Sequence, residues 1–197
     1  MLSMRSIGAA VASKGVARMQ KLFVLAVSIL ASIPGLRAST LLQLSLNDMI
    51  RQSTSIVRGK AQLAYVAQKG SVIYTHYQIQ VSATLKGTRA TTVDVAIMGG
   101  TTNGVRQLVA GAPELTNGQE YVLFLWTSKS GLTQIIGLSQ GLFRISTNSS
   151  GQALLRRAAA TELMLNAAGQ PVTDSDYQMS LIGLQTRIQD VLNGAAK

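Results

Sequence analysis

The chain has 197 residues, 47% hydrophobic and 13% charged, and its 18 basic and 8 acidic side chains give a formal charge of +10. It holds no cysteine and one histidine. These counts exclude a disulfide framework, a cysteine-ligated zinc site, a thiol nucleophile and a multi-histidine metal centre, and the apolar content excludes a disordered chain.

Five of the cations, Arg5, Lys14, Arg18, Lys21 and Arg37, fall within residues 1–38, which contain no acid, so the remaining 13 cations and 8 acids leave +5 from Ser39 onward. Residues 22–33 (LFVLAVSILASI) are uncharged. A membrane-crossing helix needs about 20 apolar residues, so this run has the length of a signal-peptide core. Lys21 precedes it, Pro34 and Gly35 break it, and Ala38 supplies a small residue for cleavage. Residues 1–38 read as a leader, with Met19 as an alternative start. The product is expected outside the cytosol, extracellular or in the periplasm or cell envelope. An uncut signal anchor, which would keep it at the membrane, and a mitochondrial presequence are the alternatives.

Residues 39–197 read as one domain. The spacing of Leu42, Leu46, Met49 and Ile50 predicts a helix over residues 40–53, capped by Ser39 or Thr40. Residues 55–67 are rich in Val, Ile, Leu and Tyr and predict a strand, with a turn at Lys69-Gly70. From Ile73 to Lys86 apolar and polar side chains alternate, which predicts a long strand with one buried and one wet face, ended by Gly87. Residues 92–98 repeat the alternation with Val93, Val95 and Ile97 inward. Residues 99–104 (GGTTNG) read as a loop and residues 105–110 as a further strand. Residues 121–126 (YVLFLW) are apolar on both parities, which predicts a central strand covered on both sides. SKSG at 128–131 predicts a hairpin turn into residues 132–136, and NSSG at 148–151 joins strands at 142–146 and 153–156. Residues 158–168 leave a short helix or a loop open. A last helix over residues 181–192 is capped by Ser180, stapled by Met179 and Leu184, and stopped by Asn193-Gly194. Short strands with few helices favour an all-β fold, a small five-stranded OB-like barrel with an N-terminal and a C-terminal helix packed on it.

The reactive side chains form no familiar constellation. His76 sits on the wet face of the long strand and reads as a solvated histidine, since no G-x-S-x-G elbow accompanies it. Asp174-Ser175-Asp176 opens like a calcium loop but lacks the required Gly and closing Glu, so it reads as a loop leading to the last helix. Gly99, Gly100 and Gly104 precede an extended segment rather than a Gly-Lys-Ser/Thr and a helix, so a phosphate loop is not the reading. The cations are scattered, with Arg156-Arg157 adjacent and Arg58 and Lys60 on one strand face. No nucleic-acid partner, no cofactor, no metal and no catalytic residue are therefore expected. Asn148-Ser149-Ser150 fits both a glycosylation sequon and a hairpin turn.

Four stretches, SIVRGKAQLAYV at 55–66, THYQIQVSATLKG at 75–87, TTVDVAIMG at 91–99 and NGQEYVLFL at 117–125, followed by a closing helix, form a pattern. That pattern resembles the netrin-like module of tissue inhibitors of metalloproteinases, and also exported bacterial proteins of the same pattern. The resemblance implies an OB-fold whose loops bind a partner, a protease or another envelope protein. The zinc-chelating N-terminal cysteine of those inhibitors has no counterpart here, so that mechanism is not implied. The expectation is an exported, non-catalytic binding module with a protein partner; a structural or matrix protein of the cell envelope is the alternative. The expected partner-binding loops are Gly99, Gly100, Thr101, Thr102, Asn103 and Gly104, and Ser128, Lys129, Ser130 and Gly131, because loops on a rigid scaffold carry recognition.

Overall fold

The computed structural model describes residues 40–195. The leader expected at residues 1–38 lies outside the described residues. The described chain is mainly β, with thirteen strands and two helices. Its centre is an eight-stranded antiparallel sheet in which the order runs β13 (Tyr177–Ser180), β10 (Ala153–Arg157), β9 (Leu142–Thr147), β7 (Glu120–Thr127), β2 (Ser55–Lys69), β3 (Val72–Lys86) and β4 (Thr92–Met98), with β8 (Thr133–Ile135) paired to β7. A small sheet joins β1 (Thr40–Leu42), β11 (Leu163–Leu165) and β12 (Pro171–Val172), and a hairpin joins β5 (Gly100–Thr102) to β6 (Val105–Gln107).

The expected five-stranded closed barrel is not what the hydrogen bonding builds. The sheet ends at β4 and at β13, and β8 packs against β4 without a ladder between them. Three short segments, β8, β10 and β13, extend the sheet beyond five strands.

The sheet has two apolar faces. On the inner face Val57, Ala61, Tyr77, Ile79, Val95, Tyr121, Leu123 and Leu125 form one core. On the outer face Ile56, Val122, Phe124, Phe143 and Leu155 pack under the helices α1 (Leu46–Gln52) and α2 (Leu181–Leu192) through Met49, Ile50, Leu184, Ile188 and Val191. Buried on both sides, β7 has no polar parity, as its unbroken apolar run requires. The helices cover the β7–β9–β10 half and reach the Leu85–Lys86 end of β3, whereas the helix-side core takes in no residue of β4 and none of β3 before Leu85.

The first helix departs from expectation. Residues 40–42 are a strand, paired in parallel with β11, and the helix starts at Leu46. Its cap is Ser45, whose side chain accepts from the Asp48 N–H while Asp48 reaches back to the Ser45 N–H, a reciprocal capping box. At its other end the Lys86 ammonium donates to the carbonyls of Ile50, Arg51 and Ser53 at 2.6, 3.0 and 2.6 Å. Burial there holds the Lys86 pKa below the ordinary lysine value. Ser180 caps α2 as expected, accepting from the Gly183 N–H at 3.0 Å. Residues 158–168 are neither helix nor plain loop but contain β11, and the expected strand at 105–110 stops at Gln107. Among the described residues no helix is long and apolar enough to cross a membrane.

Candidate functional site

The least expected cluster lies on the outer face, outside the helix-covered core. His76 of β3 is 8% exposed, not solvated as the alternation predicted. The reason is a register shift between Leu63 and Tyr65, which places Leu63 opposite Tyr77 and Tyr65 opposite His76. The bulge moves Tyr65 from the inner parity to the outer one. Its ring stacks on the imidazole with centroids 4.3 Å apart and planes 10° apart.

Asp94 of β4 completes the group. Its carboxylate oxygens lie 2.9 and 3.1 Å from His76 Nδ1, and Asp94 Oδ2 accepts from the Tyr65 hydroxyl at 3.3 Å. Because β3 lies between β2 and β4, the Tyr65 hydroxyl meets Asp94 only by reaching across His76. The tyrosine therefore roofs the histidine, and half of Tyr65 remains exposed. Desolvation against the sheet, then the Asp94 charge and hydrogen bond, hold the Tyr65 hydroxyl above the ordinary phenol value, so it stays a donor. Facing the Asp94 carboxylate oxygens, His76 Nδ1 is the donor of the pair, and the contact fixes the orientation of the ring. A base oriented in this way would serve a nucleophile, yet among the described residues no hydroxyl hydrogen-bonds His76. Nor do the described residues hold a group of three metal-ligating side chains.

Around this group the outer face continues. Gln62, Gln78 and Asp94 form one cross-strand row, and Ala67, Tyr74 and Met98 another. Tyr74 meets the His76 ring edge at 6.4 Å. Met98 and Trp126 line an open groove of ≈ 540 Å³ that also takes in Gln52, Gln134, Ile136 and Leu138. Trp126 and Gln134 are register partners on β7 and β8. Leu138 has a φ of 57°, an uncommon left-handed conformation for leucine.

The two expected loops sit on different parts of the β2–β3 hairpin. Gly99, Gly100, Thr101, Thr102, Asn103 and Gly104 are not an open loop. Gly100, Thr101 and Thr102 form β5, and Asn103-Gly104, both left-handed, make the tight turn into β6. Gly100 needs to be glycine, since a side-chain carbon there would meet Thr75 Oγ1 at 2.6 Å and Val66 at 3.0 Å. The hairpin is anchored where the Gln107 side chain accepts from the Ile73 N–H at 2.6 Å. Ser128, Lys129, Ser130 and Gly131 form the β7–β8 turn, and Ser130 Oγ lies 3.5 Å from Lys69 Nζ at the end of β2.

Other sequence candidates have structural partners. Arg157 forks onto Asp174 at 2.6 and 2.9 Å, and the Ala160 N–H donates to the same carboxylate at 2.9 Å. Asp176 accepts from the Ala159 N–H. The acidic pair thus pins residues 157–160, in keeping with a loop. Burial pushes the Asp174 carboxyl up, but the Arg157 fork and the backbone donors outweigh it and leave its pKa below the ordinary value. Arg58 forks onto Glu120 at 2.8 and 2.9 Å, and that hydrogen bond holds Glu120 below the usual carboxylate range. Asn148 organises the β9–β10 turn, its side chain accepting from the Ser150 and Gln152 N–H groups.

The class that fold and site define is a mainly β chain with two helices on part of the outer sheet face and an ordered aromatic group on the remainder. Comparison with known proteins finds no matching family model, no matching curated protein and no matching solved structure.

Proposed function

We propose that this chain is an exported, non-catalytic recognition module of OB-like strand order, and that the outer face of β2, β3 and β4 is its binding surface. The OB-like reading is supported by the order β4-β3-β2-β7 and by β8, which returns from β7 toward β4. The observation that carries the recognition reading is the Tyr65–His76–Asp94 group. Three polar or aromatic side chains from three adjacent strands hold one another in place on a part of the outer face that lies outside the helix-covered core. Ordering exposed rings before a ligand arrives removes part of the cost of binding, which is how a preformed recognition surface differs from a merely wet one.

Export is supported by the charge and length of residues 1–38, and with it the extracellular or envelope location. The partner would be met there, which disfavours nucleic acid; the resemblance to the netrin-like module supports a protein partner, a protease or another envelope protein. Two measurements test the proposal together. The full chain, expressed in an export-competent host, is expected in the envelope or medium fraction with an intact mass shortened by its leader. Immobilised, it is expected to retain a component of envelope extract, with Tyr65→Ala losing that retention. A full-length chain fractionating with the cytosol overturns export, and retention indifferent to Tyr65→Ala moves the binding surface elsewhere.

A further inference from the structure

We infer that the outer face is a platform for a neutral carbohydrate chain, with Tyr65, Tyr74 and Trp126 as ring-stacking positions and Gln62, Gln78 and Gln134 as hydrogen-bonding positions. The inference rests on the reading of this face as a recognition surface and adds the chemical class of what it takes.

Geometry gives the first part. Tyr65 turns one ring face to His76 and its hydroxyl to Asp94, so the opposite ring face is what remains for solvent. A fixed, flat, half-exposed ring suits the C–H face of a pyranose, which is apolar and planar enough to displace water from it. Tyr74 lies beside it on β3, and its register partner Met98 lines the groove that Trp126, 46% exposed, borders from β7. Tyr65 and Tyr74 thus share the outer face of β2 and β3, and the groove at Met98 leads from β4 to Trp126 across the seam where β4 packs on β8. At ≈ 540 Å³, the groove at the Trp126 end is within the range of small-ligand sites.

Charge selects among the planar ligands that stack on such rings. A nucleic-acid strand requires cations along its phosphates. Here Lys60 and Lys69 stand apart on β2, with Gln62 and Tyr65 between them, and Lys86 at the far end of β3 is taken up by the carbonyls of the first helix. Arg58 is already bound by Glu120. The groups between the rings are side-chain amides, each of which both donates and accepts, the pairing that sugar hydroxyls require. Gln62 and Gln78 are cross-strand partners next to Asp94, and Gln134 is the partner of Trp126. An acidic polysaccharide would meet Asp94 at the centre of the platform, so the neutral class fits.

The test is isothermal titration of the purified chain with three soluble neutral hexasaccharides, cellohexaose, chitohexaose and maltohexaose, and with heparin hexasaccharide and oligo-dT for contrast. Saturable binding to at least one neutral hexasaccharide is expected, little changed between low and high salt. Tyr65→Ala and Trp126→Ala are each expected to weaken it about tenfold or more. Tyr65→Phe, which keeps the ring, is expected to retain most of it. These side chains are exposed, and circular dichroism of each variant confirms that the fold is kept. Absence of saturable binding to all three neutral hexasaccharides overturns the inference, as does salt-sensitive binding of oligo-dT or heparin in their place. A protein retained through Tyr65 without any glycan binding overturns it too, while leaving the recognition reading intact; retention independent of this face overturns both.

Discussion

The Arg157–Asp174 pair is the most deeply placed charge contact in the molecule's described part, with side chains 12% and 4% exposed. Asp174 there answers both an arginine fork and the Ala160 N–H, while Arg157 Nε is buried with no partner of its own. Replacing Asp174 with Ala strands a guanidinium that is already incompletely satisfied, and breaking such a pair from one side costs about 3–5 kcal/mol. We therefore expect Asp174→Ala to lower stability to urea by roughly that amount; a midpoint unchanged from wild type would show the pair to be idle. Tyr65 provides the opposite case. Its roofing of His76 is local and outward, so Tyr65→Phe removes the bond to Asp94 at 3.3 Å and is expected to cost about 1 kcal/mol or less. A loss of several kcal/mol would mean that the stacked group holds the sheet together.

At the scale of elements, the hinge between strands and the caps of helices decide the boundaries. Gly59 sits in β2 where a side-chain carbon would run into the Gln80 carbonyl and the Ile79 methyl on β3. Gly59→Ala must push those two strands apart, and overpacking of this kind costs about 1–3 kcal/mol, to be read from the thermal midpoint. Ser180→Ala removes the acceptor of the Gly183 N–H and is expected to cost about 1 kcal/mol, with an unchanged denaturant slope. Elements with a local cause were legible in the sequence: β4 from its alternation, β7 from its two-sided apolar run, and α2 from its cap and stripe. The first helix was misplaced because Leu42 fits the helical stripe, while its strand pairing depends on β11, far along the chain. The Ser45-Leu-Asn-Asp48 box was a readable signal for the true start. His76 was misread for a related reason. Strict alternation assigns it to solvent, and nothing local to β3 announces that a bulge in β2 will lay Tyr65 over it.

For the whole molecule, acid is the expected weakness. Glu120 and Asp174 both have folded pKa values below their ordinary ones, so each contributes stability that is complete above the unfolded carboxylate range, near pH 4. That contribution is lost as pH falls from there through the folded values. The thermal midpoint is expected to drop between about pH 5 and pH 2, and Glu120→Gln should flatten the drop; a midpoint independent of pH over that window would contradict it. One tether also bears on how the molecule assembles. The buried Gln140 amide accepts from the Leu44 N–H at 2.8 Å and donates to the Leu42 carbonyl at 2.9 Å, and Leu41 pairs with Met164. A polypeptide made from its N-terminus presents β1 long before Met164 exists, so that strand waits unpaired while the central ladder zips up behind it. The first strand of the described chain is thus locked down among the last, and closing it records that the C-terminal part has arrived.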